Sequence, residues 1–274
     1  MSTYAGLTYA EIQGYRPLLL DLHVPVSASA GSPVPFVVWM HGGAFWSGDR
    51  RYLPSNLAPN AVFDTLVAAG IAAATIDYRF SGEAHYPAQL HDVRAAIRYL
   101  RSNAATWGLD PARVGVWGES SGGLLGALAA LAPADEAADT TGPDSGADSE
   151  AVVDLPLTAA VTWCSPTELV RLRHFSAISG LLGVGDDGLE AAAAQASPVT
   201  HVRSDAPPFL IMHGDADGTV PIEHAALLHE ALLNAGARST LATVKGADHV
   251  FQGHPDAQQL VDQAVAFFSQ EFAS

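Results

Sequence analysis

Gly118-Glu119-Ser120-Ser121-Gly122 places a serine between glycines, after the apolar run Val114 to Trp117 and before a helical run rich in Ala and Leu. A serine at a sharp strand-to-helix turn projects its hydroxyl clear of the backbone. The flanking glycines remove the side chains that would collide in such a turn. The helix that follows directs its free N–H groups at the serine, which favours developing negative charge there. Only Ser120 has glycines at both flanks; Ser121 does not. A hydroxyl becomes a strong nucleophile only with a base beside it. His249, in Gly246-Ala247-Asp248-His249-Val250-Phe251, follows the last predicted strand and is the candidate base. Asp215 and Asp217, in the turn after Phe209 to Met212, compete as the acid that supports it.

A second glycine turn, His41-Gly42-Gly43-Ala44-Phe45-Trp46, follows the apolar run Pro35 to Met40. Acyl transfer creates a tetrahedral oxyanion that needs N–H donors already aimed at it. The loop looks like the HGGG-type loop of esterases and lipases, and that likeness implies donors from the amides of Gly43 and Ala44, with a third from Ser121. The choice of Gly42 or Ala44 stays open, and Ala44 keeps its donor if its φ is negative. His41 reads as a structural hydrogen bonder. Phe45 and Trp46 are candidates to contact substrate, or else to pack the loop. His213-x-Asp215-x-Asp217 has a spacing that could suggest a metal, but a strand entering a turn explains it better, so neither metal nor cofactor is expected. His224, His229 and His254 fall in or beside helices and read as surface residues.

These residues need elements to carry them. Arg16 to Pro25, Pro35 to Met40, Ile71 to Tyr78, Val114 to Trp117, Thr158 to Trp163, Phe209 to Met212 and Ser239 to Val244 read as strands. Ala61 to Ala69, Pro87 to Asn103, His224 to Asn234 and Asp256 to Phe272 read as helices, the second with Leu90, Val93, Ile97 and Leu100 on one face. Strands spaced by crossover helices predict an α/β fold, a mostly parallel sheet covered on both faces. No repeat is visible, and residues 1–274 read as one domain. Residues 133–154, acidic and rich in small side chains, read as a solvated flexible loop. Residues 165–200 read as short helical pieces that form a small cap or a connection.

The chain has 274 residues, 49% of them apolar and 15% charged, ample for a large core. Its net charge of −16, from 13 basic and 29 acidic residues, repels nucleic acid and anionic membranes. One cysteine, Cys164, allows no intrachain disulfide. Met1 to Gly6 shows neither the basic start nor the apolar stretch of a signal peptide, and no apolar run approaches the roughly 20 residues that span a bilayer. A soluble cytoplasmic protein is the expectation.

The glycine loop at 41–45, the run Asp77-Tyr78-Arg79, the stretch Gly108 to Val114 and the turn Gly118 to Gly123 resemble bacterial carboxylesterases near the hormone-sensitive-lipase type. Ser165-Pro166-Thr167, His213 to Pro221 and Gly246 to Phe251 look closer to the bifunctional feruloyl and acetylxylan esterases. The likeness covers roughly residues 16–270 and departs from the more usual Ser-Ala-Gly-Gly by having Ser121. It implies an α/β-hydrolase fold, whose chain order Ser, Asp, His fits Ser120, Asp217 and His249. The pattern H-G-x-x-D-x-x-V-P selects Asp217 as the acid and leaves Asp215 to bind backbone amides. The implied function is hydrolysis of a small carboxylic ester, of short-chain, aryl or sugar type. Amide hydrolysis, by a formamidase or peptidase, and ligand binding without catalysis on the same scaffold are the rivals. The fold can dimerise through an edge strand, so a homodimer is open.

Overall fold

In the computed structural model, residues 1–133 and 155–274 are described. Of the acidic stretch 133–154, only Pro133 is among them.

The short apolar runs become strands because they are buried on both faces: every residue of β3 (Val34–Met40) and β4 (Ala72–Ile76) is buried. Around them lie β1 (Ser2–Ala10), β2 (Leu18–Val24), β5 (Leu109–Glu119), β6 (Ala159–Trp163), β7 (Phe209–Gly214) and β8 (Ser239–Val244). Among the described residues they form one eight-stranded sheet in the order β1-β2-β4-β3-β5-β6-β7-β8. β1 and β2 pair antiparallel, as do β2 and β4; every later pairing is parallel. β1 is the one strand that sequence reading missed. Most of it is exposed at the sheet edge, so it carries no apolar signature.

Helices cover both faces, and strand alternation divides the core accordingly. Phe36, Val38 and Met40 face α2 (Ala88–Ser102), α4 (Ser121–Leu131) and α7 (Glu223–Asn234). Val37 and Trp39 face α1 (Ala61–Ala68) and α8 (Ala257–Ala273), whose helices pack together. α2 buries Leu90, Val93, Ile97 and Leu100, the stripe its sequence predicts. A single turn, α3 (Ala104–Trp107), leads into β5. Between β6 and β7 come a 3-10 turn (Leu169–Leu172), α5 (Ser176–Leu182), α6 (Asp186–Gln195) and a second 3-10 turn (Pro198–His201). The Tyr86 N–H donates to Leu181 O at 2.8 Å and ties this segment to the loop after β4.

The topology creates a crevice at one place. From β3 the chain crosses to β4 on one side; from its neighbour β5 it crosses to β6 on the other. The carboxyl ends of β3 and β5 therefore flank the point where strand order reverses, where open α/β sheets take their ligands. The loop at 41–46 leaves β3 there, and the turn at 119–122 leaves β5.

Candidate active site

Ser120 sits between β5 and α4 with φ 50° and ψ −119°, a conformation that L-residues rarely adopt. Neighbours hold it there: the Ser120 N–H donates to Trp163 O at 2.7 Å, and Ser120 O accepts the Leu124 N–H at 3.1 Å. Gly122 is required by close approach, because a Cβ there would lie 2.2 Å from Met40 O. The helix thus begins directly against the end of β3.

His249 Nε2 lies 3.0 Å from Ser120 Oγ, and His249 Nδ1 lies 2.8 Å from Asp217 Oδ2. The three side chains expected from the sequence come together, though 129 positions separate the serine from the histidine. Asp217 Oδ1 accepts the N–H groups of Thr219 and Val220 at 2.9 and 2.8 Å. Burial opposes ionisation of Asp217, but hydrogen bonds from His213, His249 and the Val220 amide outweigh it and hold the carboxyl well below the ordinary carboxylate range. Asp215, the competing acid, is exposed and accepts the Gly246 N–H at 2.5 Å.

His249 stands on a 3-10 turn that its neighbours pin. Asp248 accepts the N–H of His249 at 2.7 Å and of Gly218 at 2.9 Å, so one carboxylate joins the histidine loop to the aspartate loop. The Gly218 amide, then the His249 amide, holds Asp248 below its usual value. Val250 and Phe251 take positive φ, 48° and 62°. Phe251 is anchored in the core edge-to-face on Trp163, 5.1 Å between ring centres. Asn56 Nδ2 donates to both Val250 O and Phe251 O, at 3.1 and 3.0 Å.

The loop after β3 presents amides. Gly42 is not a free donor: its N–H goes to Glu119 Oε1 at 3.1 Å. Among the described residues the amides of Gly43, Ala44 and Ser121 have no intramolecular acceptor. That leaves Gly43 and Ala44 as the available pair and removes Gly42. The condition placed on Ala44 is corrected, however. Its φ is +56°, so its amide is presented from a left-handed turn. Gly43 has φ +119° and no room for a Cβ, which would fall 2.1 Å from Ser47 O.

The aromatic pair divides. Trp46 is half exposed, with its Nε1 beside Gly180 of α5. Phe45 is 1% exposed and belongs to the core, so the expectation that it contacts substrate is corrected: it packs the loop. His41 is buried, and its Nδ1 lies 2.6 Å from Gly42 O; that carbonyl can only accept, so Nδ1 carries the proton. The ring stacks on Tyr78 at 4.5 Å, and Tyr78 Oη donates to His41 O at 2.9 Å. Asp77 accepts from Arg50, and Arg79 clamps Asp92 of α2 at 2.6 Å. Tyr78 touches both glycine turns, because its Oη also lies 3.4 Å from Ser121 Oγ.

Sequence reasoning missed three contributors. Asp248 gave only the hint of standing next to His249, the candidate base. Glu119, inside the serine motif, is 1% exposed and holds Gly42; its Oε2 has no partner among the described residues. His224 is the third, and its surface assignment is corrected. It is 2% exposed, and its Nδ1 faces the amides of Thr167 and Glu168, both at 3.3 Å, at the start of the segment between β6 and β7. Burial pushes His224 down to about 4.

Cys164, His213 and Asp217 offer donor atoms within 4.8 Å of one another. Asp217 already faces two amides and two imidazoles, and burial pushes the Cys164 thiol up to about 12. The group is therefore poorly suited to a cation. Among the described residues, no helix is long and apolar enough to cross a membrane.

A hydroxyl, an imidazole and a carboxylate in line, beside unengaged amides, can form and break an acyl bond. The BD-FAE family profile matches residues 20–232. The chain belongs to the BD-FAE family. It is 32% identical over 248 residues to esterase LipQ of Mycobacterium tuberculosis, covering 87% of this chain and 55% of LipQ. It is 30% identical over 222 residues to esterase LipC of the same organism, covering 80% of this chain and 53% of LipC. The chain thus spans about half the length of these curated relatives. A carbohydrate esterase from gut microbiota superposes with a TM-score of 0.80 at 26% identity, covering 100% of this chain and 97% of that one. Esterase 2 of Thermogutta terrifontis, solved with propionate bound, superposes with a TM-score of 0.77 at 26% identity, covering 97% and 93%. The α/β-hydrolase fold implied by the sequence is the fold of this BD-FAE chain.

Proposed function

We propose that this chain hydrolyses carboxylic esters through an acyl-serine intermediate, with Ser120 as nucleophile, His249 as base and Asp217 as supporting acid. The continuous hydrogen-bond line from Ser120 through His249 to Asp217 carries this reading. Ser120 Oγ attacks the ester carbonyl as its proton passes to His249 Nε2. Asp217 fixes the tautomer and stabilises the imidazolium. The amides of Gly43, Ala44 and Ser121 receive the oxyanion. His249 then gives its proton to the departing alkoxide, and water repeats the sequence on the acyl-enzyme. The esterase relatives, and the propionate held by the Thermogutta terrifontis enzyme, support an ester of a small acyl group. The carbohydrate esterase neighbour supports a sugar alcohol as one form of leaving group. Trp46, whose Nε1 lies beside Gly180, supports reading residues 165–200 as a small cap over the crevice.

The test is an assay of p-nitrophenyl acetate and butyrate with wild type and Ser120→Ala. The rate falls by about 10⁴-fold or more in the variant, with an unchanged melting temperature. Equal rates would remove the proposal.

A further inference from the structure

His213 belongs to the motif that carries the acid, yet the reaction just described does not use it. It stands next to last in β7 and is fully buried. Its Nε2 lies 2.8 Å from Val220 O and 3.2 Å from Asp217 Oδ2. The Val220 carbonyl can only accept, so Nε2 carries the proton. The N–H donates to Val220 O, and Asp217 Oδ2 lies beside the same nitrogen at 3.2 Å. Nδ1 is buried without a partner among the described residues. A proton there would be a buried donor with no acceptor, on a ring then charged, so the neutral Nε2–H tautomer is the form that fits.

Val220 closes a ring around the acid: its N–H donates to Asp217 Oδ1 while its C=O receives His213. Asp217 Oδ2 lies between two imidazoles, His249 at 2.8 Å and His213 at 3.2 Å. Rotation of the carboxylate away from His249 would break contacts to Thr219, Val220 and His213 together.

We propose that His213 is a positioning residue for the reaction: a neutral second imidazole that sets which way the Asp217 carboxylate faces, and through it the orientation of His249. This rests on the hydrolase reading above. It acts through Asp217 and touches neither substrate nor Ser120.

The test compares His213→Gln, whose side-chain amide N–H reaches the place of Nε2, with His213→Leu, which removes the donor. Both are made in the full chain and assayed with p-nitrophenyl butyrate, alongside the far-downfield proton resonance of the His249 Nδ1–H. His213→Leu lowers kcat about tenfold with KM changed less than twofold, and shifts that resonance; His213→Gln recovers kcat to within about threefold and restores it. A folded His213→Leu with wild-type kcat overturns the proposal. So does equal loss in both variants with the resonance unmoved, the mark of a purely structural role. If His213→Leu does not fold, nitrogen-15 spectra of wild-type histidines decide: the Nε2–H tautomer at His213 supports the proposal and the Nδ1–H tautomer overturns it. A wild type that hydrolyses no ester would sink the hydrolase reading while leaving the tautomer measurement readable.

Discussion

The two halves of the site are built by different means. The half made from the ends of β3 and β5 is backbone packed against backbone. Gly122 lies on Met40 O, Gly43 lies on Ser47 O, and Ser120 and Ala44 are held at positive φ. The half made from the loops after β7 and β8 is held by side chains: Asp217 on two amides, Asp248 bridging two loops, His213 on a carbonyl, Asn56 on two more. A backbone-built half tolerates no added atom. A side-chain-built half tolerates atoms but not the loss of a particular donor or acceptor.

Four substitutions would break or sharpen that contrast. The largest effect is expected for Asp217→Asn, which keeps shape and alters only donors and charge. Ester kcat should fall about 10⁴-fold, because the amide favours the wrong His249 tautomer, and the melting temperature should fall too, because the carboxylate that accepts from Thr219, Val220 and His249 is lost. Gly43→Ala comes next, adding one methyl group on the other side. Its Cβ would meet Ser47 O at 2.1 Å, so the loop must move, and kcat/KM should drop about 10²- to 10³-fold, as when an oxyanion donor is lost.

The third concerns Glu119, where the backbone-built half does depend on a side chain. Burial pushes its carboxyl up to about 7, against the lowering effect of the Gly42 N–H. A value raised in the folded state means that the folded protein binds this proton more tightly. The associated stability is fully present below the ordinary value and is lost as pH rises through about 7. Glu119→Gln should therefore flatten the decline, gaining up to about 3 kcal/mol on wild type between pH 5 and pH 8 in denaturant unfolding. The smallest effect is expected for Gly218→Ala, in the acid loop. A Cβ there meets nothing nearer than Asp248 Oδ1 at 3.8 Å, so kcat should stay within about twofold. A loss as large as that of Gly43→Ala would erase the distinction between the halves.

The same contrast decides what could be read from the sequence. Close backbone approach permits only glycine, so the serine turn and the loop at 42–43 stand out by residue type. The helix α2 stands out by the period of Leu90, Val93, Ile97 and Leu100. Hydrogen-bonded supports leave weaker marks, because aspartate and histidine serve in many places. Asp248 and the buried roles of His213 and His224 emerge only when loops far apart in the chain are brought together. Phe45 shows the ambiguity, because an aromatic beside a glycine loop suits a pocket wall and a core equally well, and only its burial decides for the core. β1 was invisible because an exposed edge strand needs no apolar alternation.

The covalent step itself can be observed. Wild-type protein mixed with p-nitrophenyl butyrate, quenched in acid within milliseconds and digested, should carry the butyryl group on the peptide that contains Ser120. His249→Ala should show none. Turnover with Ser120 unmodified, or the acyl group on another residue, would contradict the account.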